Sequence, residues 1–270
     1  MIKRIVYGIL IFIGVGLFLF YVFQERLIFL NGKKIPKDVA YQFPQPFKEV
    51  NLTTHDNETI NALHFTLDKP EGIVLFFHGN KGNLQRWGTI VPYLLEYNYE
   101  VFVIDYRNYG KSTGSFDEAN MYQDALLAYD HLKKQYAEDQ IVVYGRSMGA
   151  TFATHVGVYN QPKHVVLEAP FYNLKRAIQN YFVLAPTFLA KYQFPTDQKI
   201  GKITSPITFF HGDEDSTTSF EQSKELFALV QSSQKEFVPI PNGTHHNLKD
   251  FDIYQTKLKE ILSVFTSGAK

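Results

Sequence analysis

The chain predicts an α/β fold, a mostly parallel and doubly wound sheet with an antiparallel hairpin at its N-terminal edge, preceded by one membrane-spanning helix. Three observations carry this. Five short continuous apolar runs recur at Ile73-Val74-Leu75-Phe76-Phe77, Val101-Phe102-Val103-Ile104, Ile141-Val142-Val143-Tyr144, Val165-Val166-Leu167 and Ile207-Thr208-Phe209-Phe210. Such runs are expected of strands buried on both faces of a parallel sheet. Helical patterns separate most of them, and a charge-free apolar stretch at residues 5–23 precedes them all.

That stretch would span roughly 28 Å as a helix, close to the hydrocarbon core of a bilayer. Fourteen of its positions are Ile, Leu, Val or Phe, and each favours insertion near the bilayer centre. Lys3 and Arg4 would also suit a cleaved signal peptide. However, Gln24-Glu25-Arg26 follows where a small-residue cleavage site would stand, so residues 1–26 read as a single-pass anchor. A short basic N-terminus resembles a signal anchor and points to a domain on the non-cytoplasmic side, although Arg26, Lys33, Lys34 and Lys37 follow the apolar run. Residues 27–46, with Pro36, Pro44 and Pro46, read as a linker. Residues 47–270 read as the domain.

Val50-Asn51-Leu52-Thr53 and Ile60-Asn61-Ala62-Leu63-His64-Phe65 flank the polar turn His55-Asp56-Asn57-Glu58, the pattern of an antiparallel hairpin. Between the second and third runs, Met121, Ala125, Ala128, Tyr129 and Leu132 repeat at helical spacing, and Ser115 with Glu118 offers a capping box. Phe251, Tyr254, Leu258, Ile261, Leu262 and Phe265 form a similar stripe in the last helix. These stripes are read as core faces.

Composition narrows the chemistry. The 27 basic and 27 acidic residues balance, and no Lys/Arg stripe appears, so no nucleic-acid partner is expected. With no cysteine, disulfides, thiolate zinc sites, a cysteine nucleophile and a lipidated cysteine anchor are excluded. The nine histidines are scattered without a His-Glu-x-x-His motif, so no metal is expected. No Gly-x-Gly-x-x-Gly follows the first parallel run, which speaks against a nicotinamide cofactor. Gly110-Lys111-Ser112 imitates the end of a phosphate-binding loop, but Asp105 stands where that motif requires glycine. No cofactor is expected.

The chemistry points instead to serine. The run ending at Tyr144 stops at Gly145-Arg146-Ser147-Met148-Gly149. Alone this pentapeptide is weak evidence, since glycine near 7% of residues yields one by chance roughly once in twenty chains of this length. Placed between a strand and a helix beginning near Met148, it reads as a nucleophile elbow. A serine hydroxyl needs a base, usually histidine, held by a buried carboxylate. In the α/β-hydrolase arrangement these follow in the order Ser, Asp or Glu, His. The chain supplies Ser147, then Asp215 beyond His211-Gly212, with Asp213 as the lesser alternative, then His245 or His246 after Phe237-Val238-Pro239-Ile240. The amides of Met148 and Asn80 are the natural oxyanion donors, while His78 reads as structural, bonding a loop carbonyl.

With these residues in place, the chain resembles the α/β-hydrolase superfamily, and within it the membrane-anchored, depalmitoylase-like branch of serine hydrolases. The resemblance runs from Gln24-Glu25-Arg26-Leu27-Ile28-Phe29 onward and rests on three motifs together: His78-Gly79-Asn80-Lys81-Gly82-Asn83, Asp105-Tyr106-Arg107-Asn108-Tyr109-Gly110, and the elbow. It implies the α/β-hydrolase fold, with Asp215 as the acid, His245 in Gly243-Thr244-His245-His246-Asn247 as the base, and ester or thioester hydrolysis through an acyl-enzyme without a cofactor. Two positions depart from the branch. Ser219 stands where proline is usual, which is expected to loosen the acid loop, and His246 stands where asparagine usually follows the histidine. A peptidase or acyltransferase on the same machinery, or a silent fold used for binding, are the competing readings. Residues 170–200 are too long for a plain crossover and rich in aromatics, so a helical cap and an apolar acyl pocket are expected, with a lipid-like substrate and the membrane as partners. The oligomeric state is left open.

Overall fold

The computed structural model describes residues 2–263. Its single sheet contains β1 (Phe47–Thr53), β2 (Thr59–Phe65), β3 (Gly72–Phe77), β4 (Tyr99–Ile104), β5 (Ile141–Arg146), β6 (His164–Glu168), β7 (Ile207–Gly212) and β8 (Lys235–Ile240). The spatial order is β1-β2-β4-β3-β5-β6-β7-β8. β1 pairs antiparallel with β2, Val50 opposite Ala62, and β2 pairs antiparallel with β4. All pairings from β4 to β8 are parallel. The hairpin and all five apolar runs are therefore strands. Pro239 is accommodated because β8 lies at the sheet edge, where a missing N–H costs no ladder bond.

The helices are α1 (Ile2–Ile28), α2 (Leu84–Ile90), α3 (Glu118–Leu132), α4 (Gly149–Tyr159), α5 (Leu174–Tyr181), α6 (Thr196–Lys199), α7 (Phe220–Ala228) and α8 (Asp252–Leu262). Alternate strand residues face opposite sides of the sheet, and both sides are covered. Leu75, Val143, Leu167 and Phe209 pack with residues of α3, α4 and α7, among them Met121, Phe152 and Leu226. Phe76, Tyr144 and Phe210 pack with Trp87 of α2 and Tyr254 and Leu258 of α8. Double coverage explains why the runs are apolar throughout.

After β3 the chain builds β4 on one side, then returns to place β5 on the other side of β3. The winding thus reverses between β3 and β5, and the loops leaving their carboxyl ends diverge to open a crevice. Both the loop carrying Asn80 and the elbow carrying Ser147 leave the sheet there.

Local expectations are corrected at three places. Ser115 forms no capping box: α3 begins at Glu118 with Asp117 as its cap, whose carboxylate accepts the Asn120 amide at 2.8 Å. Glu118 is drawn away because its carboxylate accepts the amides of Gln193 and Phe194 at 2.6 and 3.1 Å. The expected linker at 27–46 begins as the last two residues of α1 and continues as coil packed on the domain. Phe29 stacks on Phe116 with ring centroids 4.0 Å apart, Lys34 Nζ donates to Ser112 O at 2.9 Å, and the buried Tyr41 hydroxyl donates to Asn61 Oδ1 at 3.0 Å. Ser219 does not loosen its loop but caps α7, its hydroxyl accepting the Gln222 amide at 3.3 Å. Of the last stripe, Tyr254, Leu258, Ile261 and Leu262 are buried and Phe251 half-buried, while Phe265 lies outside the described residues.

Among the described residues α1 is the one helix long and apolar enough to cross a membrane. Its 27 residues extend about 40 Å, beyond a hydrocarbon core of about 30 Å. The excess falls at its C-terminal end, where Gln24 and Ile28 are buried against the domain.

Candidate active site

The elbow forms because its residues leave the chain no other route. Ser147 takes a left-handed backbone with φ of 52°, a conformation that costs a non-glycine residue energy and persists only when its surroundings impose it. Here the Ser147 amide donates to Glu168 O at 2.8 Å, and Ala150 closes back on Ser147 O at 3.0 Å as α4 begins. The flanking glycines make this possible. A Cβ on Gly145 would sit 2.6 Å from the Ala150 Cα, and one on Gly149 would run into the Phe77 carbonyl at the end of β3.

Asp215 and His245 come together across the loops that follow β7 and β8. His245 Nδ1 lies 2.7 Å from Asp215 Oδ2. Asp215 Oδ1 accepts the amides of Thr217 and Thr218 at 2.7 and 2.9 Å, and Oδ2 accepts the Thr218 hydroxyl at 2.8 Å. Burial pushes the Asp215 carboxyl up, but hydrogen bonds from His211 and His245 and from the Thr218 amide outweigh it and hold the carboxyl well below the usual carboxylate range. A carboxylate only accepts, so the bond to it places the proton on Nδ1 and leaves Nε2 unprotonated in the neutral ring. His246 is exposed, its ring edge-on to His245 with centroids 5.2 Å apart, and it makes no bond to Asp215. Asp213 is engaged elsewhere, accepting the Asn242 amide at 2.7 Å.

Met148 is buried at the start of α4, and among the described residues its amide and that of Asn80 donate to no protein group. The Asn80 peptide is braced by the Tyr109 hydroxyl, which donates to its carbonyl at 2.9 Å. His78 is structural, with Nδ1 2.6 Å from Gly79 O and Nε2 3.1 Å from the buried Asp105 Oδ1. Lys111 and Ser112 of the phosphate-loop imitation are likewise structural: Lys111 bonds both Glu49 oxygens at 2.8 Å, and Ser112 donates to Asp105 O at 2.9 Å.

Several supporting residues escape sequence reading. Arg146, inside the elbow motif, pairs with Glu168 at 3.0 Å and donates from Nη2 to the His245 carbonyl at 2.7 Å. Glu168 also receives the hydroxyl of Tyr144, which in turn contacts Tyr254 at 2.7 Å. His211, fully buried, points Nε2 at Thr218 O and Asp215 Oδ2, 3.2 and 3.3 Å away. The variable position of the pentapeptide and the threonine three residues past the acid were the available signals. Their partners lie far apart in sequence.

Ser147, Met148, Asn80 and His245 all line one cavity of about 1010 Å³. The wall divides by polarity. Arg86, Arg146 and His246 lie near one another beside Trp87, whereas Ile178, Phe182 and Leu184 of the 170–200 insertion supply apolar surface. Phe171, Tyr192 and Phe194 of the same insertion are buried in the core, so it is part packing and part pocket.

The family of serine aminopeptidases, S33, matches residues 68–198. Protein bem46 of Schizosaccharomyces pombe is 29% identical over 243 residues, covering 84% of this chain and 81% of that one. The lysophosphatidylserine lipase ABHD12 of Danio rerio is 23% identical over 293 residues, covering 90% of this chain and 76% of that protein. Among solved structures, the Pyrococcus furiosus esterase Pf2001 superposes with a TM-score of 0.68 at 22% identity, over 85% of this chain and 98% of that one. Sequence, sheet topology and strained serine agree, and the chain belongs to the α/β-hydrolase superfamily as a serine ester hydrolase.

Proposed function

We propose that this protein is a membrane-tethered serine hydrolase that cleaves lipid-like acyl esters through Ser147, His245 and Asp215. The observation that carries the reading is the Asp215–His245 bond at 2.7 Å beside a cavity shared with Ser147. Ser147 Oγ attacks the acyl carbonyl while His245 Nε2 takes its proton. The oxyanion is held by the Met148 and Asn80 amides. As the tetrahedral intermediate collapses, the imidazolium returns the proton to the leaving alcohol and an acyl-Ser147 remains. Water then attacks with His245 again as base, releasing the fatty acid and restoring the serine. All of this chemistry is supplied by side chains and backbone amides.

The divided wall supports an amphipathic substrate. Lys81 and Arg86 line the cavity, and among the described residues neither pairs with a carboxylate, so a negatively charged head group is favoured beside the elbow. The apolar wall suits an acyl chain, and the similarity to a lysophosphatidylserine lipase agrees with that combination. The domain is assigned to the non-cytoplasmic side of its membrane, an assignment that protease protection in sealed vesicles tests.

Each buried methylene contributes at most about 0.8 kcal/mol, so lengthening an ester from two to eight carbons raises kcat/KM by up to a few decades. Measuring p-nitrophenyl acetate, butyrate and octanoate beside an aminoacyl p-nitroanilide, with fluorophosphonate labelling in parallel, tests the reading. Labelling lost in Ser147→Ala and a preference for octanoate are expected. A parent that is unlabelled, or that prefers the anilide, overturns it.

A further inference from the structure

The last turns of α1 are fastened to both rims of the cavity. On the cap side, Gln24 Oε1 accepts the Lys191 amide at 2.7 Å, Gln24 Nε2 donates to Leu189 O at 3.3 Å, and the Tyr192 hydroxyl donates to Glu25 Oε1 at 2.8 Å. On the opposite side, Ile28 O accepts from Asn80 Nδ2 at 3.0 Å and Leu30 O accepts the Gly82 amide at 2.8 Å. These two acceptors belong to the segment leaving the membrane, and their donors belong to the loop that carries the Asn80 amide.

Gln24 is 1% exposed at the end of a helix whose preceding turns are nearly all exposed. Burying an amide is unfavourable unless both of its functions are bonded, and here the cap backbone bonds them. A helix serving only as a tether requires no such fit. Moreover, Phe20, Leu27 and Ile28 line the same cavity as Ser147. Phe20 lies within the apolar run that crosses the bilayer, so the cavity reaches the membrane boundary. Beside it the 181–188 tip leaves Phe182, Val183, Leu184 and Phe188 outside the protein, Leu184 being 95% exposed. Apolar side chains clustered in this way mark a surface that meets something apolar, and the adjoining helix identifies it as lipid.

We propose, building on the hydrolase reading above, that the C-terminal turns of α1 form a wall of the acyl pocket, and that the acyl chain enters from the bilayer between α1 and the 181–188 tip. The anchor is then part of the substrate site. The occupant of the mouth is the lipid of the host membrane, continuous with the lipid around α1.

The test uses the full-length protein in phosphatidylcholine vesicles, with p-nitrophenyl acetate and octanoate as probes and fluorophosphonate labelling as the control for an intact nucleophile. Leu27→Trp narrows the proposed wall at a position that is exposed to the outside. It is expected to lower the octanoate-to-acetate ratio of kcat/KM about tenfold, comparable to losing burial of two methylenes, with acetate changed less than about twofold. Leu184→Asp, at the mouth, is expected to lower the same ratio, and Phe12→Trp, on α1 but away from the cavity, to leave it unchanged. A ratio unmoved by Leu27→Trp, or equal losses on both esters, overturns the wall while intact labelling preserves the hydrolase reading. A parent that fails to label overturns both.

Discussion

The elbow and the cap tip border one cavity and are built in opposite ways. Around Ser147, Gly145, Met148, Gly149 and Ala150 are buried, and the strained serine is held by the carboxyl ends of β5 and β6. The 181–188 tip instead leaves four large apolar side chains uncovered by protein. Acyl transfer needs its groups within a fraction of an ångström, which only packed elements provide. Gripping a hydrocarbon chain is non-directional and follows area alone. The proposed wall, shared among a helix end, a short cap and the membrane, would therefore suffice for that task, though not for the first.

The comparison predicts that the largest losses come from the well-packed side. His245→Ala should lower kcat for p-nitrophenyl butyrate by about three decades or more, as removal of a triad member does, whereas His246→Ala should cost less than about threefold. Of the two, His245 alone touches Asp215, and His246 is exposed. A larger loss in His246→Ala would transfer the role of base to that residue.

Next in size is Arg146, whose bonds to the His245 carbonyl and Glu168 suit a positioning role. It ties the His245 carbonyl to Glu168. Arg146→Met should lower kcat about tenfold, as expected for a displaced base, and Lys at this position should restore part of it by keeping the charge near Glu168. An unchanged kcat with a raised KM would show instead that Arg146 serves the head group.

How much of this was readable in the chain follows the same division. The strands announced themselves because burial on both faces leaves no polar position, and the elbow because its glycines are demanded by backbone contacts at fixed spacing. Chain order proposes Asp215 and His245 as acid and base. The stretch 27–46 reads as a linker because prolines and lysines are visible in a sequence, whereas carbonyls accepting bonds from residues 80 and 82 are not. Ser115 misled for a related reason: Glu118 was taken by Gln193 and Phe194, a tertiary claim that local spacing does not reveal. The Arg146, Glu168, Tyr144 and Tyr254 cluster joins β5, β6 and α8, so no window along the chain contains it.

On the thin side of the cavity, effects should be smaller and confined to substrate choice. Phe182→Ser combined with Leu184→Ser should lower kcat/KM for the octanoate ester several-fold, the loss of a modest apolar area. The thermal midpoint should hardly move, because exposed side chains contribute within about 0.5 kcal/mol. A large fall in the midpoint would mean that the tip is a structural element of the fold.

The smallest effect separates the two regions by acid. His155 on α4 and His164 in β6 lie on the packed side, and burial, reinforced by Lys199 for the first and by Lys163 and Lys257 for the second, lowers each imidazole to about 4. In the unfolded chain both titrate near 6.5. Between those values the unfolded state binds more protons, so stability rises with pH there. It is fully present above about 6.5 and is lost as pH falls toward 4. Asp215 remains ionised across this window, because its carboxyl is held below the usual range. His164 is only half-buried, so the two together should contribute about 1 kcal/mol between pH 6.5 and 5 after solvent screening. Urea midpoints at pH 7 and pH 5 measure it. The paired substitution His155→Gln and His164→Gln should flatten the dependence, whereas Leu184→Ser at the tip should leave it as in the parent. If the histidine pair is replaced and the acid loss persists in full, the sensitivity resides in other groups, and the packed side is not where protons act.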